Sequence, residues 1–221
     1  MDFDRSDRVD EYFAGLFVGD DPALERALAA SAAAGLPPIA VSAVQGKLLY
    51  LLAQSAGARR VLEVGTLGGY SAIWFGRAVG EHGSVVSLEI DPEHAAVARK
   101  NLAAAGLGSV VTVEVAPALE KLDRLVAART EPFDMIFIDA DKRNNPNYLA
   151  RGLELAHSGT IVVVDNVVRD GAVTDTRSRD PDIVGTRRCL EMMASDPRLQ
   201  ATAIQTVGAK GYDGFAIALV R

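Results

Sequence analysis

Apolar positions along the chain fall first into two helix-spaced segments, then into a long alternation of short continuous runs and helix-spaced ones. Residues 23–34 form the first helical segment, with Asp21 as N-cap and Pro22 at the first helical position. Gly35-Leu36-Pro37-Pro38 ends it. Residues 41–56 form the second, with Val44, Leu48, Leu51 and Leu52 at helical spacing. The alternation starts at Arg60. Apolar runs at Arg60–Val64, Ser84–Glu89, 110–115, 134–138 and 160–164 read as strands. Helices are predicted between them over Tyr70–Val79, from Pro92 to residue 105, from Pro117 onward and over 147–156. A polar loop, a helix near 185–194 and two strands at 201–207 and 214–220 complete the chain.

Strand–helix alternation predicts an α/β fold: a Rossmann-like, doubly wound, mostly parallel sheet with helices on both faces. The Val-rich strands fit burial on both sides. The segment Gly208-Ala209-Lys210-Gly211-Tyr212-Asp213 is too short for a parallel crossover. The last two strands should therefore form an antiparallel hairpin. No repeat, low-complexity segment or interdomain linker interrupts the pattern. The expectation is one domain over 1–221, with 1–40 as a helical arm and 41–221 as the catalytic core.

Composition narrows the function classes. The 221 residues are 49% hydrophobic and 24% charged, an ordinary globular balance. Cys189 is the lone cysteine, which excludes an intramolecular disulfide and a cysteine-rich metal site. The net charge is −6, with basic residues clustered only as the doublets Arg59-Arg60 and Arg187-Arg188. A phosphate backbone repels such a chain, so no nucleic-acid partner is expected. No apolar stretch is long enough to span a membrane. The acidic start, Met1-Asp2-Phe3-Asp4-Arg5, does not read as a signal peptide, so a cytoplasmic location is expected.

Ligands of open α/β sheets bind beyond the carboxyl ends of the strands. Those ends carry Glu63, Glu89, Ala116, Asp139-Ala140-Asp141-Lys142 and Asp165-Asn166, so four of five bring an acid to one sheet edge. The loop after the first strand, Gly65-Thr66-Leu67-Gly68-Gly69, lets backbone approach a ligand closely. A tight strand–helix turn would also need such glycines. The loop is neither the dinucleotide fingerprint nor a P-loop. Glu89 ends the second strand, where an acid accepts hydrogen bonds from ribose hydroxyls. An acid there also suits the start of the following helix. Together they point to a nucleoside cofactor whose charged part is not pyrophosphate. S-adenosylmethionine fits, with Glu63 placed to meet its ammonium.

Asp139, Asp165 and Asn166 offer two carboxylates and an amide oxygen, hard donors suited to Mg²⁺, Ca²⁺ or Mn²⁺. Neighbouring parallel strands lie ~4.8 Å apart, so acids at their ends can share one cation. The alternative is two acids repelling at a wet sheet edge. Lys142, three positions after Asp139, suits a general base beside them, although an isolated lysine is ordinarily a surface charge. His82, His94 and His157 lack metal-ligand spacing, and Cys189, Trp74 and Phe75 read as packing residues.

At these residues the chain resembles the cation-dependent class I O-methyltransferases, the catechol and caffeoyl-CoA O-methyltransferase group. The matching pieces are V-L-E-V-G-T-L-G-G-Y-S, S-L-E-I-D-P, F-D-M-I-F-I-D-A-D-K, V-V-V-D-N-V and Q-T-V-G-A-K-G-Y-D-G-F-A-I-A-L-V, within residues 41–221. The D-A-D-K and D-N pair is specific; the glycine loop is shared by many methyltransferases. The resemblance implies a seven-stranded sheet ending in an antiparallel hairpin, and a homodimer. It implies that Asp139, Asp165 and Asn166 hold the metal, with Mg²⁺ first among the candidates, and that Lys142 helps deprotonate an acceptor hydroxyl. Val41, Glu63, Gly65, Thr66, Ser71, Glu89, Ala116 and Asp139 would line the S-adenosylmethionine site. Relatives often carry a glycine where this chain has Val115-Ala116-Pro117.

The implied activity is divalent-metal-dependent methyl transfer from S-adenosylmethionine to a hydroxyl of a catechol-like small molecule. Rival readings are a methyltransferase acting on another acceptor, such as nucleic acid or protein, a nucleotide-dependent dehydrogenase, and a non-catalytic nucleoside-binding protein. The first lacks a basic stripe, the second lacks the dinucleotide glycines, and the third leaves intact ligands without a role. The polar loop at 169–183 is expected to border the acceptor pocket and set selectivity.

Overall fold

The computed structural model describes the chain from residue 3 to residue 221, with side chains from residue 5. Met1 and Asp2, part of the acidic start, lie outside the described residues. Seven strands form one sheet: β1 (Arg60–Val64), β2 (Ser84–Glu89), β3 (Val111–Val115), β4 (Phe133–Ile138), β5 (Ala156–Asp165), β6 (Leu199–Gly208) and β7 (Gly211–Val220). Their spatial order is β3-β2-β1-β4-β5-β7-β6, with β7 antiparallel to both neighbours and the other pairings parallel. The doubly wound sheet with a terminal hairpin is thus present as expected. The order reverses at β1, so the crevice beside β1 and β4 is where a ligand would enter.

The first three helices precede the sheet: α1 (Phe3–Phe17), α2 (Pro22–Ala33) and α3 (Ala43–Ser55). Asp21 caps α2 by accepting from Ala23 N–H and Leu24 N–H, and Ser42 caps α3 by accepting from Gln45 N–H. Then α4 (Tyr70–Val79) and α5 (Pro92–Ala104) alternate with the first strands, followed by α6 (Ala118–Ala127), α7 (Asn145–Glu154) and α8 (Pro181–Ser195). One face of the sheet packs Phe75, Ile73, Leu49 and Leu102 from α3–α5 against Met135 and Phe137. The other packs Leu122, Leu149, Leu153, Cys189 and Met193 from α6–α8 against Ile136, Ile138 and Val164. Trp74, Phe75 and Cys189 are core residues, as read, and burial pushes the Cys189 thiol up to about 12. Among the described residues no helix is long and apolar enough to cross a membrane.

Several boundaries differ from the sequence expectation, most by one or two residues. α7 starts at Asn145 rather than 147, because Pro146 occupies its first turn. β5 starts at Ala156, where a helix was expected to end, and Gly159 takes a left-handed φ of 99° within it. α8 starts at Pro181, with Asp180 accepting from Asp182 N–H. That is the same Asp-Pro cap that opens α2 and α5, and it shortens the expected loop. The final hairpin is tighter than expected: Gly208 pairs with Gly211, leaving Ala209 and Lys210 as the connection.

Candidate active site

The loop after β1 bends where only glycine fits. Gly65 has φ 103°, and a Cβ there would overlap the backbone carbonyl of Asp139. The ends of β1 and β4 therefore meet at this point, with Asp139 N–H donating to the Val64 carbonyl at 2.8 Å. Beyond Gly65 the loop turns its backbone N–H groups toward β2. Thr66 N–H and Leu67 N–H donate to Glu89 Oε2 at 3.3 and 2.7 Å. Ile90 N–H and Asp91 N–H donate to Oε1, both at 3.0 Å. Glu89 is thus held by four backbone donors at the end of its strand.

Glu63 lies beneath this loop and is fully buried. The Ser87 hydroxyl donates to its Oε2, and Thr66 Oγ1 bonds Ser87 in turn. Among the described residues Oε1 has no hydrogen-bond partner. Burial pushes the carboxyl up to about 8, the negative Asp139 and Glu89 add to the rise, and the Ser71 and Ser87 hydroxyls oppose it. A buried oxygen without a donor suits a ligand that brings an N–H or a positive charge. The folded state binds this proton where the unfolded chain has released it, so stability should fall with rising pH from above 4.5 to about 8. Glu63→Gln should remove a slope of about 1.4 kcal/mol per pH unit in that window. Denaturant unfolding of both ligand-free proteins across the range checks this; parallel profiles would contradict it.

The second cluster sits at the ends of β4 and β5, adjacent in register through Ile138 and Val164. Lys142 is buried in the short turn after Asp139, and its Nζ donates to Asp139 Oδ1 at 2.6 Å. Asp165 is also buried; its Oδ2 accepts from Gln45 Nε2 at 2.7 Å and its Oδ1 from Asn166 N–H at 2.8 Å. Burial and the nearby Asp139 push the Asp165 carboxyl up to about 7, with the Lys142 ammonium pulling the other way. Asn166 adopts a left-handed φ of 54°, unusual for a side-chain-bearing residue. Among the described residues no cluster of three or more His, Cys, Asp or Glu side chains is placed to hold a metal. The donor set here is instead two carboxylates and an amide. Two acids forced together and partly desolvated suit a hard cation.

Three further predicted residues are Val41, Ser71 and Ala116. Val41 is buried just before α3, Ser71 is buried in the first turn of α4, and Ala116 N–H bonds the Glu89 carbonyl at 3.0 Å. Asp141 behaves differently from its neighbour in D-A-D-K. It accepts from Asn144 Nδ2 at 2.6 Å and from the Tyr148 hydroxyl, so it fastens the turn rather than joining the acids. Sequence reasoning missed Gln45, which reaches Asp165 from α3. It also missed Asn101, whose Nδ2 donates to the Gly68 and Ala27 carbonyls and ties α5 to the glycine loop and α2. Neither carries a motif; each is a polar residue on a helix until the fold buries it.

A Rossmann-like sheet with a strand-end acidic site is the architecture of a nucleoside-cofactor-dependent α/β enzyme. The family model described as O-methyltransferase matches residues 17–219. A protein named catechol O-methyltransferase from Mycobacterium tuberculosis (strain ATCC 25618 / H37Rv) is 56% identical, over 96% of this chain and 95% of its own. The crystal structure of an O-methyltransferase from Bacillus cereus in complex with SAH superposes with a TM-score of 0.97 at 48% identity, covering 99% and 100% of the two chains. An O-methyltransferase from Streptomyces achromogenes involved in tomaymycin synthesis, solved with SAM, gives 0.96 at 48% identity, covering 100% and 99%. The chain belongs to the O-methyltransferase family.

Proposed function

We propose that the protein transfers a methyl group from S-adenosylmethionine to one hydroxyl of a catechol-like, vicinal-diol small molecule, with a divalent cation, Mg²⁺ first and Ca²⁺ or Mn²⁺ as alternatives. The observation that carries the reading is the pair Asp139 and Asp165 on adjacent strand ends, with Lys142 bonded to the first. The relatives' names and the SAM and SAH in their structures support the cofactor and the acceptor class.

In this reading Val41, Glu63, Gly65, Thr66, Ser71, Glu89, Ala116 and Asp139 bind S-adenosylmethionine, whose sulfonium supplies an already activated methyl group. Glu63 offers its unpartnered Oε1 to the ammonium. Glu89 accepts from the ribose hydroxyls while keeping the loop N–H groups. Asp139, Asp165 and Asn166 would hold the cation, which when bound would stabilise negative charge on the acceptor hydroxyl. A phenol has a pKa of about 10, so few acceptor molecules are ionised at neutral pH. Lys142 Nζ serves as the group that takes the acceptor's proton. Binding both molecules at one sheet edge would convert a bimolecular reaction into an oriented one.

The chain works as one domain, with a core over 41–221 and an arm over 1–40, in the cytoplasm and without a nucleic-acid partner. Exposed Tyr12, Phe13, Leu16 and Phe17 on α1 support a homodimer, which light scattering at twice the chain mass would bear out and at one chain mass would refute. Calorimetric titration with S-adenosylmethionine, followed by methyl transfer to caffeate, tests the function. Saturable binding with turnover is expected; no binding would overturn it.

A further inference from the structure

Beyond the acids, the segment after β5 carries an arginine, Arg169, whose Nε has no hydrogen-bond partner among the described residues. Arg169 follows the D-N pair by three residues and is half-buried. Its backbone is fixed: Val168 N–H and Arg169 N–H donate to Asp213 Oδ1 at 2.9 and 3.1 Å, and Val167 N–H donates to the Gly214 carbonyl at 3.0 Å. Asn166, Arg169 and Asp170 all take left-handed φ angles, 54°, 55° and 53°. Side-chain-bearing residues adopt that conformation at a cost, and such strain gathers at ligand sites. The Arg169 Nε is buried and has no hydrogen-bond partner. By contrast, Arg60, Arg77, Arg99, Arg143 and Arg151 all donate to carbonyls or carboxylates.

A buried guanidinium N–H without an acceptor is unfavourable, and the acceptor it fits best is a carboxylate, which matches its planar fork. Arg169 follows Asn166, at the end of the strand that carries Asp165, so it stands in the segment next to the acidic edge. We propose, resting on the catechol reading above, that Arg169 is a specificity residue: it receives a carboxylate carried on the ring of the acceptor. The preferred substrates are then acidic catechols rather than neutral ones.

The test compares 3,4-dihydroxybenzoate with its carboxamide, which differ at the group Arg169 is proposed to meet. Wild type should show a KM lower by about tenfold or more for the acid. Arg169→Met should erase that difference by raising KM for the acid, while kcat/KM for the carboxamide stays within about twofold. Arg169→Lys, which keeps the charge but not the fork, should fall between. Equal KM values for acid and carboxamide in wild type would overturn the proposal. So would an equal loss on both compounds in Arg169→Met. If wild type methylates neither compound, the catechol reading fails by itself. Calorimetric binding of the two compounds to the protein loaded with S-adenosylhomocysteine then still reads Arg169: preference for the acid, lost in Arg169→Met, supports its role, and parity refutes it.

Discussion

Asp165→Ala should lower methyl transfer to a catechol acceptor by at least about a thousandfold, equal to roughly 4 kcal/mol of lost transition-state stabilisation. Asp165 is buried and donates nothing; both its oxygens accept, from Gln45 and from the Asn166 backbone. In the proposed reading it is also a principal cation ligand, and alanine leaves Asp139 and an amide, too few donors for tight binding. The fold should tolerate the change. Alanine removes an acid whose burial and repulsion by Asp139 push it up to about 7, so a group destabilising when ionised is lost. Steady-state kinetics at saturating Mg²⁺, with a thermal melt in parallel, separate the two effects. Activity within tenfold of wild type would remove Asp165 from the mechanism. A collapsed melt would show instead that the residue is structural.

Lys142→Met should cost about 10²–10⁴ in kcat, the range for losing a positioned general base. Lys142 is 7% exposed, and its Nζ lies 2.6 Å from Asp139 Oδ1. Its ammonium also pulls the Asp165 carboxyl down, so methionine should move that carboxyl further up. Removing charge and base together is ambiguous, and Lys142→Arg resolves it. Arginine keeps the charge but does not give up its proton. If proton transfer is the role, Lys142→Arg should be nearly as slow as Lys142→Met. Near-normal turnover in Lys142→Arg would assign the lysine an electrostatic role only.

The elements most legible in the chain were those where several signals coincide. β1, α4 and β2 follow one another with glycine punctuation, and the sequence reading matches their bounds, Arg60–Val64, Tyr70–Val79 and Ser84–Glu89. The acids at the strand ends were legible for a topological reason: a parallel sheet sends every such end to one edge. Boundaries failed where a local cap competed with hydrophobic spacing, as at Asp180-Pro181, whose signal lies outside the apolar stripe of α8. The inner side of the site was not legible. Gln45 and Asn101 look like solvent-facing helix positions, and only the packing of α3 and α5 onto the sheet gives them buried partners. Asp141 was left without a role by the sequence, because spacing along the chain cannot show that it accepts from Tyr148 and Asn144.

In the proposed mechanism a divalent cation held by Asp139, Asp165 and Asn166 is required for methylating a vicinal-diol hydroxyl. The most direct measurement is the rate of methyl transfer from S-adenosylmethionine to caffeate in metal-stripped protein, with Mg²⁺ titrated in and then removed by EDTA. A rate near background is expected without metal, with saturable activation by Mg²⁺, full loss on chelation, and S-adenosylmethionine binding retained throughout. Turnover that is unchanged by EDTA in stripped protein would contradict it.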